Sequence, residues 1–172
     1  NNGEPLERGH FTTEHVFQAK EGFGHYGIPC RIRDIVAIQD EFEAKFLEYH
    51  LFSTDLEINP GDHEAKFKNK EFSFHAPEQF DDGFVLDLVS NDEDTRNRSL
   101  LELDRIIAWV LRASELSCQT IAPKLITNVG GASYSSEHKI DKRQCFERLA
   151  DINDKLLSNG IHFRPQTMPP FP

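Results

Sequence analysis

The chain has 172 residues, of which 38% are hydrophobic and 28% charged, and its formal net charge is −10. This length is sufficient for one hydrophobic core, and no stretch approaches the roughly 18 consecutive apolar residues that a membrane span needs. The acidic charge and the lack of a Lys/Arg cluster argue against nucleic-acid binding, because phosphate backbones are bound by basic surfaces. We therefore expect a cytoplasmic enzyme or interaction domain.

The cysteines are few and widely spaced. Cys30, Cys118 and Cys145 form no CxxC pair, which argues against a disulfide framework and against a structural zinc site. Cys145 falls at the apolar spacing of a predicted helix, which favours a packing role over a catalytic one.

Residues 1–30 show no sustained hydrophobic period. Gly and Pro interrupt them repeatedly, from Gly3 to Pro29, which is typical of loops and turns. We interpret this segment as an irregular linker or as the tail of a preceding domain, and residues 31–172 as the main domain.

A helix and a strand are predicted next. Apolar residues recur at helical spacing over residues 31–42. Residues 46–51 then form a run of strand length, in which Glu48 and His50 share one face and Tyr49 lies on the other.

The second half of the chain alternates between strand and helix patterns. Strands are predicted at residues 71–75, 124–129 and 161–164. One helix is predicted to begin at Ser90, where Ser90 and Glu93 match a capping box. Another is predicted over residues 136–158, with Phe146, Leu149 and Ile152 facing inward and Asn159-Gly160 as its stop.

This alternation predicts an α/β fold with parallel strands and right-handed crossovers. It amounts to roughly half of a TIM-like β/α barrel, since a complete one takes about 250 residues. The domain is therefore either a partial barrel or a smaller open α/β sheet. Pro165 places the last strand at an open edge or ends it early, because proline lacks a ladder donor.

Polar residues collect where the predicted strands end, and ligand sites of parallel β/α folds lie at that edge. The candidates are Glu48, His50, His75, Glu78, Asn128, Gly130, Gly131 and Gln166.

Each candidate has a functional and a structural interpretation. His75 could bind a divalent metal or a sugar hydroxyl, or it could simply be satisfied by a carbonyl. Glu48 and His50 could share proton transfer or form an inward ion pair. Gly130 and Gly131 could cradle a phosphate before a helix or form a turn without a ligand.

Several segments resemble the superfamily of xylose-isomerase-like and apurinic-endonuclease-like barrels. The matching segments are FHAPE (74–78), LDLVS (86–90), DEDTRNRS (92–99), ITNVGGAS (126–133) and RPQTMPPFP (164–172). LEYHLFSTDL (47–56) resembles the first strand of a version fused behind sialic-acid-synthase-like proteins, and residues 3–17 resemble the antifreeze-like segment before it.

The resemblance implies a sugar or sugar-phosphate isomerase or epimerase in surface-polysaccharide biosynthesis, fused to or packed on a synthase domain. Catalysis would fall to His75, Glu48 and His50, and substrate binding to the other strand-end residues. A divalent metal is implied through His75, but Asn128 and Gln166 stand where the superfamily has a histidine and a glutamate. The alternative is a metal-free sugar-binding or scaffolding module beside a synthase.

Overall fold

The computed structural model describes residues 28–35, 46–68, 70–117, 119–129 and 142–166. Five strands form one parallel sheet: β1 (Ile28–Cys30), β2 (Phe46–His50), β3 (Glu71–His75), β4 (Lys124–Asn128) and β5 (His162–Gln166). Each strand lies beside its predecessor in the chain, giving the order β1-β2-β3-β4-β5. The parallel α/β prediction is thereby confirmed. The described strands form an open sheet, so closure into a barrel stays a prediction.

Within the described ranges, three α-helices accompany the strands. A short helix, α1 (Glu64–Phe67), precedes β3 and follows two 3₁₀ turns at Ser53–Glu57 and Pro60–His63. The long helices are α2 (Glu93–Ser117), between β3 and β4, and α3 (Lys142–Ser158), between β4 and β5. None of the described helices has the length and apolar character to cross a membrane.

One aromatic cluster fills the interface between the sheet and α2. Tyr49 of β2 stacks on Trp109 of α2, with ring centroids 5.4 Å apart and planes 16° apart. Phe67 and Phe74 meet the same indole edge-on. Alternation along the strands puts Tyr49 and Phe74 on the helix side and leaves His50 and His75 for the opposite face. The packing of Tyr49 and Phe74 in the core therefore turns His50 and His75 to the other face of the sheet.

The helix ends agree in part with the predicted start and stop residues. Gly160 adopts a φ of +72°, and the N–H groups of Gly160 and Ile161 donate to the carbonyls of Leu157 and Leu156, both at 2.9 Å. This is a Schellman motif, so the predicted stop of α3 is confirmed. The predicted start at Ser90 is wrong: α2 begins at Glu93, because Asp92 accepts the Thr95 N–H at 2.7 Å and acts as N-cap.

Two further predictions differ from the structure. Ile28–Cys30 form an edge strand where loops were predicted, since three residues are too few for a period and Pro29 is tolerated at an edge. Phe146 is 70% exposed rather than inward, because it lies about 120° around α3 from the buried Ile152. β5 is an edge of the described sheet, as Pro165 predicted.

Of the predicted helix at residues 31–42, only residues 31–35 are described. They make a turn in which the N–H groups of Asp34 and Ile35 donate to the Arg31 carbonyl at 2.9 and 3.2 Å. The other residues of that prediction lie outside the described ranges, as do residues 136–141 of the last predicted helix.

Candidate functional site

The site is built on the register between β2 and β3. His50 and His75 are directly paired positions in this ladder. The ladder continues past the end of β2, since the Leu51 N–H donates to the His75 carbonyl at 3.0 Å. On the other side of β3, the Ala76 N–H donates to the Ile126 carbonyl of β4 at 2.8 Å. The two imidazoles stack with centroids 4.8 Å apart and planes 11° apart. Both predicted histidines thus lie together at the carboxyl edge of the sheet.

Glu48 holds the His50 ring. Its Oε1 lies 2.7 Å from Nε2 of His50, and both side chains are about one-third exposed. A carboxylate only accepts hydrogen bonds, so Nε2 carries the proton. In the neutral ring the lone pair then belongs to Nδ1. The predicted pairing of these two side chains on one strand face is confirmed.

His75 is buried and held at both ring nitrogens. Nδ1 lies 2.9 Å from the Ala76 carbonyl, and Nε2 lies 2.9 Å from Oε1 of Gln166 on β5. A carbonyl can only accept, so Nδ1–H donates to Ala76. The Gln166 amide can accept from a protonated Nε2 or, turned over, donate to a neutral one. The Gln166 amide can therefore form a hydrogen bond with Nε2 of His75 whether or not that nitrogen carries a proton.

A second polar contact crosses the same edge. Nδ2 of Asn128, at the end of β4, donates to Oε1 of Glu78 at 2.6 Å. Oδ1 of Asn128 is buried and has no hydrogen-bond partner. A buried acceptor without a donor is costly, and a ligand hydroxyl is a group of the right chemistry to satisfy it.

A cavity of about 610 Å³ lies beside the two histidines, a size typical of small-molecule sites. Asn128 and Gln166 do not line it but bond to Glu78 and His75, which do. His50, His75 and Glu78 line it, together with the two segments that follow β2 and β3. The remaining lining residues are Arg31, Leu51, Phe52, Ser53, Thr54, Ala76, Pro77, Gln79, Phe80, Asp81 and Gly83.

Sequence reasoning missed the loop contributions to this cavity. Ser53 donates to Asp81 at 2.7 Å across 28 residues of chain, a pairing with no local signal in the sequence. Arg31 was missed because β1 itself was predicted as loop. Gly130 and Gly131 lie outside the described residues, so their predicted phosphate contact stays a prediction.

The described part of the chain offers no set of three or more His, Cys, Asp or Glu side chains placed to hold a metal ion. At His75, the Nε2 atom faces the amide of Gln166 rather than a carboxylate. These donors do not fit a tight divalent site. Metal binding through His75 therefore remains a prediction from the resemblance.

Cys30 is not suited to act as a nucleophile. Burial, reinforced by the charges of Asp34 and Glu48, raises the pKa of Cys30 to about 12. The thiolate is the nucleophilic form, so Cys30 is an inert core residue. Burial also raises the pKa of Asp55, against the lowering effect of the Phe52 N–H that it accepts.

The chain was also compared with known proteins. Comparisons with protein-family models, with curated proteins and with solved structures gave no match. The superfamily prediction therefore rests on the quoted segments, and the site rests on its own geometry.

Proposed function

We propose that this chain acts on a sugar or sugar phosphate, isomerising or epimerising it by proton transfer next to a carbonyl. The observation that carries this proposal is the stacked pair of His50 and His75, which line a cavity of about 610 Å³, with Glu48 bonded to His50. General acid–base chemistry needs two titratable groups in reach of one substrate.

The two imidazoles would take complementary roles. His50, with its lone pair on Nδ1, removes the proton from the carbon beside the carbonyl. His75 donates its Nε2 proton to the carbonyl oxygen, which gives an enediol. In isomerisation the proton then goes to the former carbonyl carbon while the hydroxyl on the other carbon gives up its proton and becomes the new carbonyl. In epimerisation it goes to the opposite face of the same carbon while the enediol oxygen gives its proton back to His75.

The neighbouring polar groups would hold the substrate. Asn128 has a buried, unpartnered carbonyl oxygen. The Gln166 amide can give up its hydrogen bond to His75 and bond to a substrate hydroxyl instead. Glu78 lines the cavity and accepts from Asn128. Amides and carboxylates in this arrangement recognise hydroxyl groups by paired hydrogen bonds. The substrate would belong to surface-polysaccharide biosynthesis, beside a synthase domain, as the resemblance implies.

The alternative is a metal-free sugar-binding or scaffolding module. It is favoured by the hydrogen bonds that already occupy the ring nitrogens: Nε2 of His50 on Glu48, and both nitrogens of His75. Under this alternative the same edge binds a sugar without moving a carbon-bound proton.

Solvent deuterium incorporation separates the two. The whole chain is incubated in D₂O with a panel of aldoses, ketoses and their phosphates, with and without a chelator, and the carbon-bound protons next to the carbonyl are followed by NMR. We expect exchange with at least one sugar, and a loss of about 100-fold or more in His50→Gln and in His75→Gln.

His63→Gln serves as the matched control, because His63 lies in a 3₁₀ turn and does not line the cavity. Circular dichroism melts establish that the variants are folded. Exchange that is absent for every sugar, while a sugar still binds, would favour the binding module. Exchange that survives both substitutions would contradict the assignment of His50 and His75.

A further inference from the structure

The cavity has a cationic end that the proton-transfer chemistry does not use. Arg31 follows β1 directly, and because Cys30 pairs with Tyr49 in the parallel ladder, the next step along both strands brings Arg31 level with His50. Among the described residues that line the cavity, Arg31 is the only Arg or Lys.

The guanidinium is held in place and makes no salt bridge within the described residues, although Asp55 lies near enough for the charge of Arg31 to act on its carboxyl. Its Cζ lies 3.4 Å from the centroid of the Phe52 ring, a cation–π contact that fixes the plane of the group and leaves its N–H edge available. Nη1 is buried without a hydrogen-bond partner. Arg33, in contrast, is 77% exposed and paired with Asp34 at 3.6 Å.

Each of the acidic side chains nearby accepts a hydrogen bond from a group other than Arg31. The Asp55 carboxylate accepts the Phe52 N–H at 2.8 Å, Asp81 accepts from Ser53, and Glu78 accepts from Asn128. A forked guanidinium with unused donors matches a carboxylate or phosphate, which accept two parallel hydrogen bonds.

We infer that Arg31 binds the anionic group of the substrate, so that the site takes an anionic sugar, phosphorylated or carboxylated, in preference to a neutral one. This inference rests on the proposed function for the identity of the ligand as a sugar. The anion lies at the Arg31–Phe52 end, since Glu78 and Asp81 repel it elsewhere in the cavity, and the carbonyl end of the sugar then points to His50 and His75.

Calorimetric titration of the whole chain tests the inference without requiring turnover. The probes are glucose 6-phosphate, glucuronate and glucose. We expect the two anions to bind more tightly than glucose, and the phosphate and carboxylate arms to show which oxyanion is preferred. Arg31→Gln lowers the affinity for the preferred anion by about 10- to 100-fold and leaves that for glucose unchanged.

Arg31→Lys keeps the charge without the fork and gives an intermediate loss. Arg33→Gln removes the same charge from the exposed neighbour and has no effect. Equal affinity for anionic and neutral probes, absence of binding by all three, or an unchanged Arg31→Gln variant overturns the inference. If anions bind through Arg31 but no sugar exchanges deuterium, the inference about Arg31 stands and the proposed function fails. If only neutral sugars exchange deuterium, the proposed function stands and the inference about Arg31 fails.

Discussion

His50 and His75 are 25 positions apart in the chain, yet their rings stack at 4.8 Å because the β2–β3 ladder pairs them directly. The paired strands carry apolar residues toward α2 and the two imidazoles toward the cavity. One ring is bonded to a carboxylate and the other to a carbonyl and an amide. Identical side chains therefore have different partners, a precondition for separate acid and base roles.

The contact between Asn128 and Glu78 gives a prediction for Asn128→Asp. In the wild type, Oε1 of Glu78 lies 2.6 Å from the amide nitrogen of Asn128. The substitution replaces that amide with a second carboxylate. The repelling pair takes up a proton more readily in the folded than in the unfolded state, so its folded pKa is raised. Stability relative to the wild type is retained at low pH and lost as pH rises through that pKa.

We expect this loss to be on the order of 1 kcal/mol at neutral pH, because Glu78 is exposed and solvent screens part of the repulsion. Urea unfolding at several pH values measures it. The double variant Glu78→Gln with Asn128→Asp exchanges the two groups and restores the hydrogen bond, so its stability returns toward the wild type. A double variant as unstable as Asn128→Asp alone would show that this contact does not matter.

The polar strand ends were predictable because alternation along a parallel strand decides which residues share a face. That reasoning placed Glu48 beside His50 and both at the ligand edge. The contact between His75 and Gln166 was not predictable, since it joins residues 91 positions apart through the order of the strands. The position of Arg31 at the cavity was also not predictable, because β1, the strand before it, has only three residues and therefore shows no period.

Helix boundaries show the limit of local motifs. Ser90 and Glu93 have the spacing of a capping box, but Asp92 is as good an N-cap residue and lies closer to the apolar stripe. In the structure Ser90 Oγ accepts the Asp92 N–H at 3.2 Å, a turn before the helix. The sequence contained two competing caps, and the one that the helix uses is Asp92.

Removing that cap gives a second prediction. Asp92→Ala leaves the Thr95 N–H without its 2.7 Å acceptor and removes a negative charge from the positive end of the α2 dipole. We expect a loss of about 1 kcal/mol in the free energy of unfolding. Ser90→Ala is the matched control. It should cost only a few tenths of that free energy, because Ser90 does not cap the helix. Equal losses in urea denaturation would mean that Ser90 caps the helix.

Asp55 gives a pH prediction. Burial raises the pKa of this carboxyl above its ordinary value of 3.8, so the folded state keeps a proton that the unfolded state has released. Stability therefore falls as pH rises from the ordinary value through the raised one. Asp55→Asn, which still accepts the Phe52 N–H, lacks this fall.

The stability difference between Asp55→Asn and the wild type should thus widen with pH and then level off, as measured by urea midpoints from about pH 4 to about pH 8. Asp62→Asn removes an exposed charge as a control, and it leaves the fall in place. A constant difference between Asp55→Asn and the wild type would contradict the assignment to Asp55.

Trp109 decides whether the site keeps its geometry, because its indole supports Tyr49 and Phe74, the neighbours of His50 and His75 in β2 and β3. Its Nε1–H also donates to the Ile58 carbonyl at 2.9 Å. We expect Trp109→Ala to cost about 3–5 kcal/mol of unfolding free energy, since it leaves a cavity in the aromatic cluster.

Trp109→Phe keeps a ring but leaves the Ile58 carbonyl without its donor, at a cost of about 1–2 kcal/mol. Leu101→Ala is the control on the same helix, because Leu101 is 68% exposed, and it should change stability by less than about 0.5 kcal/mol. Urea denaturation gives all three values. If Trp109→Phe matched the wild type, the indole would act through packing alone, and the strand ends at His50 and His75 would depend on the ring contacts rather than on the Ile58 tether.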